Sequence, residues 1–218
     1  MKKDLQNSLR LYALTDLCYV NDEKSMADLV KEAIEQGATM IQLREKHLQG
    51  DALEQEAREV LAVCKEQNVP LIINDDLQLA LKIHANGVHL GQKDGNAKEA
   101  RKLSGEDFII GVTAPSIELA RMAQEDGADY IGAGAIYPTA TKTDTKPLTP
   151  EALSEIVSSV SIPVVAIGGL NRHNCDLLMH TGITGIATSS GVFAHLDEDG
   201  EVEQFRKKAE EICASSHA

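Results

Sequence analysis

Short runs of apolar and β-branched residues alternate along the chain with longer amphipathic stretches. Amphipathic segments at 25–36, 51–66, 117–125, 150–157 and 202–213 are expected to be helices, and Ser25 and Gly37 suit the two ends of the first one. Strands that alternate with helices predict repeated βα units and a parallel sheet. The runs expected to be strands lie at residues 11–15, 40–43, 71–74, 87–90, 109–113, 130–134, 164–167 and 185–187.

The number of units favours a closed barrel. Eight units in 218 residues give about 27 residues each, close to what a compact (β/α)₈ barrel requires. Phrases such as HANGVHL and EDGADYIGAG repeat a helix end, a glycine turn and a buried strand, and no linker divides the chain. We therefore predict an α/β protein with a single (β/α)₈ TIM barrel over residues 1–218 and an active site at the C-terminal ends of the strands. A doubly wound sheet would show the same alternation.

Composition narrows the classes of partner. The 21 basic and 34 acidic residues give a formal net charge of −13, which repels nucleic acids, and aromatic residues make up only 3% of the chain. The four cysteines are too widely spaced for a disulfide framework or a zinc finger, and no segment has the roughly 20 apolar residues of a membrane helix. We expect a cytoplasmic protein with small-molecule partners and no nucleic-acid or membrane partner. The sequence leaves open whether the chain forms a homo-oligomer.

Cationic side chains follow the second predicted strand. Gln42, Arg44 and Lys46 can point to the same side of the strand end, because they alternate with Leu43 and Glu45. An arginine fork beside a lysine suits a phosphate group. The alternative is a solvated loop in which the cations pair with neighbours such as Glu45.

Carboxylates and an amide follow the third and fourth predicted strands. Asn74 and Asp75 end one strand, and Asp94 comes shortly after the next. Two carboxylates from adjacent strand ends suit a Mg²⁺ ion that also binds phosphate oxygens of a substrate, whereas the alternative for Asp94 is the start of a turn. We predict that Asp76 caps the following helix and that His89, inside a strand, has a structural role.

Two further segments suit phosphate binding. Residues 137–146 follow the sixth strand and are rich in hydroxyl groups, which suits either a lid that excludes water or a solvated linker. Within it, Lys142 is a better candidate for ligand contact than Lys146, because it lies nearer the strand end. Gly169 and the Ser189–Ser190 pair follow the last two strands, where many (β/α)₈ enzymes bind phosphate through backbone N–H groups.

Five motifs that occur in order across most of the chain resemble those of the thiamine-phosphate synthase family: QLREK, INDD, GVHLGQKD, GADYIGAGAIYPTATK and PVVAIGGLN. The resemblance implies a Mg²⁺-dependent transferase that joins 4-amino-5-hydroxymethyl-2-methylpyrimidine diphosphate to 4-methyl-5-(2-phosphoethyl)thiazole. The products would be thiamine phosphate and pyrophosphate. Pyrophosphate would leave first, and the thiazole nitrogen would then attack the pyrimidine-methyl cation.

The resemblance also implies roles for individual residues. Asp75 and Asp94 would bind Mg²⁺, while catalytic residues Arg44, Lys46 and Lys142 would stabilise the charge that develops on pyrophosphate. The residues implied for the pyrimidine diphosphate are Gln42, Leu43, Arg44, Glu45, Lys46, Asn74, Thr113 and Lys142. Those implied for the thiazole phosphate are Thr139, Ala140, Thr141, Gly169, Ser189 and Ser190.

Two other functions fit the same pattern of strands. A thiazole tautomerase of this fold would need neither a diphosphate nor a metal, and it would have no use for Asn74, Asp75 and Asp94. A non-catalytic protein that binds phosphorylated thiamine precursors would not need a metal-assisted site for a leaving group. The retained carboxylates and cations therefore favour the synthase.

Overall fold

The computed structural model describes residues 4–138 and 147–215 and contains a barrel of eight parallel strands. The strands are β1 Leu11–Leu14, β2 Met40–Leu43, β3 Leu71–Asn74, β4 Gly87–Leu90, β5 Ile109–Thr113, β6 Tyr130–Gly134, β7 Val164–Ile167 and β8 Gly185–Thr188. Each strand pairs with its neighbours in sequence, and β8 closes onto β1, where Ile186 lies opposite Leu11. The closure confirms the (β/α)₈ barrel and excludes the doubly wound sheet. All but the first and last strands have the bounds predicted from the sequence.

Helices surround the barrel, and most of them connect one strand to the next. They are α1 Leu5–Ser8, α2 Met26–Glu35, α3 Gly50–Glu66, α4 Leu77–Ile83, α5 Ala97–Ser104, α6 Ile117–Glu125, α7 Pro150–Ser159, α8 Ser190–Phe193 and α9 Glu201–Ala214, with 3₁₀ turns at Leu17–Tyr19 and Cys175–Leu178. The five helices predicted from periodicity are confirmed, with ends that differ by at most two residues. The apolar pattern did not predict α1, α5 or α8. Helices α1 and α8 have only four residues each, and along α5 only two alanines, Ala97 and Ala100, are buried.

Local hydrogen bonds explain where the first long helix begins and ends. The Ser25 hydroxyl accepts a hydrogen bond from the Asp28 N–H, and the Asp28 carboxylate accepts one from the Ser25 N–H, which together form a capping box. At the other end Gly37 has φ +127°, a backbone conformation that favours glycine. The predicted ends of α2 are confirmed.

Apolar side chains form two separate cores. The larger core lies between the strands and the helices and includes Ile41 and Leu43 of β2. The smaller one fills the inside of the barrel and includes Met40 of the same strand together with Tyr12 and Tyr130. Because successive side chains of a strand point to opposite faces, Gln42 shares the inner face with Met40 and lies two residues nearer the C-terminal end of the strand.

The helices of residues 4–138 and 147–215 include none that is long and apolar enough to cross a membrane. The four cysteines are unpaired thiols; Cys18 is exposed, while Cys64, Cys175 and Cys213 are buried.

Candidate active site

The cations predicted to bind phosphate lie beside the ends of β1 and β2. The Arg44 N–H donates to Thr15 Oγ1 at 2.9 Å, and the Thr15 N–H donates to the Gln42 carbonyl at 3.0 Å, so the two strand ends are joined. Asp16 has a lowered pKa, mainly because the Cys18 N–H donates to it and also because Arg44 and Lys46 are near. Within the described residues neither cation forms an ion pair, and Lys46 is exposed. Both charges therefore remain available to an anion.

Leu43 and Glu45 point away from the inside of the barrel. The Leu43 side chain is buried in the core between strands and helices, so a ligand at the strand ends would meet its backbone only. The Glu45 carboxyl group lies near Glu56 of α3, and in each group Oε1 is buried with no hydrogen-bond partner among the described residues. Burial, followed by repulsion from Glu56, raises the pKa of Glu45 to about 7. Among the described residues Glu45 forms no ion pair with either cation, although Arg44 is near enough to offset part of the rise in its pKa.

The carboxylates predicted to bind a metal meet next to the turn after β4. Partial burial and the adjacent Asp94 carboxylate raise the pKa of Asp75, and the two carboxyl groups lie within hydrogen-bonding reach of each other. A Cβ at Gly91 would collide with Asp94 Oδ2 and would lie 3.8 Å from Asp75 Oδ1, so both groups flank that glycine. Asn74 Nδ2 donates to Asp75 Oδ2 at 2.6 Å.

This donor set fits a hard cation that retains water. Two negative charges held together at an exposed strand end repel each other, and a bound divalent cation removes that repulsion. Carboxylate and amide oxygens are suitable ligands for Mg²⁺. In the described part of the chain no group of three or more histidine, cysteine, aspartate or glutamate side chains is placed to hold a metal. Two carboxylates would leave most coordination positions to water and to phosphate oxygens. The neighbouring Asp76 accepts from the Leu79 N–H at 2.8 Å, which confirms its predicted role as the cap of α4.

A line of hydrogen-bonded side chains crosses the inside of the barrel below these groups. In spatial order, beginning at β2 and ending at β5, its members are Gln42, Tyr12, Tyr130, His89 and Thr113. The four successive distances between their polar atoms are 2.7, 2.9, 3.0 and 3.0 Å. The structural role predicted for His89 is consistent with these bonds. The two tyrosines were missed from the sequence, although a tyrosine at an inner strand position is a signal that a buried hydroxyl needs a partner.

The predicted phosphate site at the last two strands is formed by backbone turns and one buried hydroxyl. Gly169 has φ +64°, and its carbonyl accepts from Asn174 Nδ2 at 2.8 Å. Ser189 Oγ is buried and has no hydrogen-bond partner among the described residues, while Ser190 is exposed at the first position of α8. Thr139, Ala140, Thr141 and Lys142 lie outside the described residues.

Comparisons with known proteins agree on one family. The family model described as "Thiamine monophosphate synthase" matches residues 11–192. A protein from Ruminiclostridium cellulolyticum named thiamine-phosphate synthase is 45% identical over 194 residues, which cover 89% of this chain and 92% of that protein. One of the same name from Methanobrevibacter smithii is 44% identical over 184 residues, 84% of this chain and 87% of that protein. The solved structure of thiamine phosphate pyrophosphorylase from Pyrococcus furiosus superimposes with a TM-score of 0.86 and 36% identity, covering 95% of this chain and 98% of that one.

Proposed function

Because the chain belongs to the thiamine monophosphate synthase family, we propose that it joins the two phosphorylated substrates named above and releases pyrophosphate. Family membership confirms the resemblance seen in the five motifs, and it makes the protein a transferase.

One observation carries the proposal: two cations that pair with no described residue and a pair of carboxylates lie at the C-terminal ends of neighbouring strands. Arg44 and Lys46 follow β2, and Asp75 follows β3. A diphosphate needs both kinds of group, since its charge exceeds what one cation neutralises and a hard ion binds its oxygens well. A thiazole tautomerase would not require the carboxylates.

Asp75 and Asp94 are the residues that would hold Mg²⁺. When bound, the ion would supply positive charge to phosphate oxygens and so make pyrophosphate a better leaving group. Asn74, which donates to Asp75, would keep the carboxylate oriented.

The chain's own residues would bind the diphosphate and stabilise the charge that develops on it. As the bond between the pyrimidine methylene and the diphosphate oxygen breaks, its electron pair leaves with pyrophosphate, close to Arg44 and Lys46. The lone pair of the thiazole nitrogen then forms the new bond to the methylene carbon, and no protein nucleophile is needed. Lys142 would add a further positive charge at the leaving group.

The thiazole phosphate would bind at the ends of β7 and β8. The buried Ser189 hydroxyl, without a partner among the described residues, offers a hydrogen bond to a phosphate oxygen. Gly169 and Ser190 would complete this site together with Thr139, Ala140 and Thr141. We propose further that the protein works in the cytoplasm, because four unpaired cysteines suit a reducing compartment.

Pyrophosphate release tests the proposed reaction. Purified protein is mixed with both substrates, with and without Mg²⁺, and with each substrate omitted in turn. We expect release only when both substrates and Mg²⁺ are present, with thiamine phosphate formed in equal amount. Folded protein that binds the thiazole phosphate but releases no pyrophosphate would contradict the proposal and favour a tautomerase or a non-catalytic binder.

A matched pair of arginine variants tests the diphosphate site. Arg44→Gln is expected to lower turnover by at least about a hundredfold, because a charge that stabilises the leaving group is lost. Arg58→Gln removes the same charge from the exposed face of α3, where Arg58 pairs with Glu54, and should leave turnover unchanged. Equal effects of the two substitutions would remove Arg44 from the site.

A further inference from the structure

The orientation of the Gln42 amide gives the hydrogen bonds inside the barrel one consistent direction. Gln42 Nε2 donates to Tyr12 Oη at 2.7 Å, which leaves the proton of the Tyr12 hydroxyl for the Tyr130 oxygen, 2.9 Å away. The Tyr130 proton then points to His89 Nδ1, at 3.0 Å. A neutral imidazole that accepts at Nδ1 carries its proton on Nε2, and this proton faces Thr113 Oγ1 at 3.0 Å. The Thr113 hydroxyl accepts that bond and keeps its own proton to donate.

Burial holds this direction in place. Gln42 is 2% exposed, Tyr12 1% and Tyr130 0%, so water cannot replace their partners. Burial also raises the pKa of both phenols well above their ordinary values, and each therefore retains the proton that it donates. Reversing the line would require the Gln42 amide to present its oxygen, instead of Nε2, to Tyr12.

The two neighbouring strands are built around the rings in this line. A Cβ at Gly111 of β5 would collide with the Tyr130 ring, and a Cβ at Gly132 of β6 would lie 3.2 Å from His89 Cε1. Any larger residue at Gly111 would push the phenol out of reach of its partners. The glycine therefore makes room for the hydrogen-bonded arrangement.

We propose that Tyr12, Tyr130 and His89 are positioning residues whose directed hydrogen bonds present the Thr113 hydroxyl as a donor to an acceptor nitrogen of the pyrimidine ring. The role rests on the proposed function, because it assigns Thr113 to the pyrimidine substrate. Gln42 anchors the far end of the line with its amide N–H. All three positioning residues are buried inside the barrel, so they would act on the substrate through the Thr113 hydroxyl.

The tautomer of His89 tests the direction without any measurement of activity. Protein labelled with ¹⁵N-histidine is studied by NMR well above the ordinary histidine pKa of about 6.5, and the His89 signals are identified by their loss in His89→Gln. We expect neutral His89 to carry its proton on Nε2, and Tyr130→Phe to shift it toward a mixture of tautomers. A proton on Nδ1 in the unsubstituted protein would overturn the proposal.

Kinetics test the role in positioning. Tyr130→Phe should raise KM for the pyrimidine diphosphate about fivefold, the effect of one neutral hydrogen bond, and leave KM for the thiazole phosphate unchanged. Adding Tyr130→Phe to a Thr113→Val variant should raise this KM no further than Thr113→Val alone does, because Thr113→Val has already removed the hydroxyl donor. Ile109→Val, in the same interior cluster, is the control for general loosening of the core and should change neither KM nor the tautomer.

The outcomes separate the two proposals. An Nε2 proton in a protein that forms no thiamine phosphate would support the direction of the bonds and contradict the proposed function. Thiamine phosphate formation with an Nδ1 proton, or with equal changes in both KM values in Tyr130→Phe, would contradict the positioning role alone.

Discussion

Replacing Asp75 by asparagine should have opposite effects on stability with and without Mg²⁺. The substitution keeps the shape of the side chain, and asparagine tolerates the left-handed backbone at this position, where φ is +63°. It removes one of two carboxylates that face each other next to Gly91. Without a metal, the loss of that repulsion should stabilise the fold.

The magnitude follows from the surroundings of the pair. Two like charges about 4 Å apart repel by about 1 kcal/mol in water and about 4 kcal/mol near a protein surface. Both aspartates are exposed, so we expect the lower value, about 1 kcal/mol, and a Tm about 2 to 4 °C higher than that of the unsubstituted protein in chelator. Mg²⁺ with pyrophosphate, at a hundredfold excess over Kd, should stabilise the unsubstituted protein by about 3 kcal/mol and the variant by much less.

Thermal unfolding in chelator and in Mg²⁺ with pyrophosphate provides the assay, together with turnover as a function of Mg²⁺. Asp107→Asn makes the same charge change at an exposed position before β5 and should shift neither quantity. Two results would refute the assignment of Mg²⁺ to Asp75 and Asp94. One is an Asp75→Asn variant that is less stable than the unsubstituted protein in chelator, and the other is a variant that Mg²⁺ with pyrophosphate stabilises as much as it stabilises the unsubstituted protein.

Three other substitutions test separate parts of the structure. Lys142→Ala should slow pyrophosphate departure in a single turnover more than it weakens thiazole phosphate binding; equal losses would mean that Lys142 is misplaced. Glu45 holds its proton in the folded state up to about pH 7, whereas the unfolded chain releases it near pH 4.5, so stability should fall as pH rises through this window. Glu45→Gln should remove this loss of stability. Because the carboxyl group is partly solvated, we expect the variant to be about 1 kcal/mol more stable than the unsubstituted protein in urea unfolding above pH 7 and equally stable below pH 4.5. A difference in stability that does not change with pH would contradict the raised pKa of Glu45. Arg101→Met should cost about 3 kcal/mol in urea unfolding and leave turnover at low temperature unchanged. It removes the guanidinium that donates to the Asp129 carboxylate, which is 17% exposed, at 2.6 Å and to the carbonyls of Gly105, Phe108 and Gly127. A loss below about 1 kcal/mol would show that water replaces the arginine.

The order and type of the elements could be predicted because they depend on local patterns. Each strand is a short apolar run, and each long helix buries residues at helical spacing, as Leu29 and Ala33 do in α2. Capping is equally local, since Ser25 and Asp76 bond to N–H groups three residues away. The cations and carboxylates of the site could be predicted for a related reason: in parallel strands all C-terminal ends meet at the same edge.

What the sequence did not determine depends on contacts between distant residues. Tyr12 and Tyr130 are 118 positions apart, and only closure of the barrel brings their hydroxyl groups to 2.9 Å. The place of Glu45 opposite Glu56 likewise follows from how α3 packs on β2. The local pattern predicts whether a side chain is buried or polar. Which distant side chain it contacts depends on how the whole barrel packs. By itself the sequence determined most of the elements, the edge where chemistry occurs and the family; the tertiary structure decided the closure of the barrel and the partners of its buried polar groups.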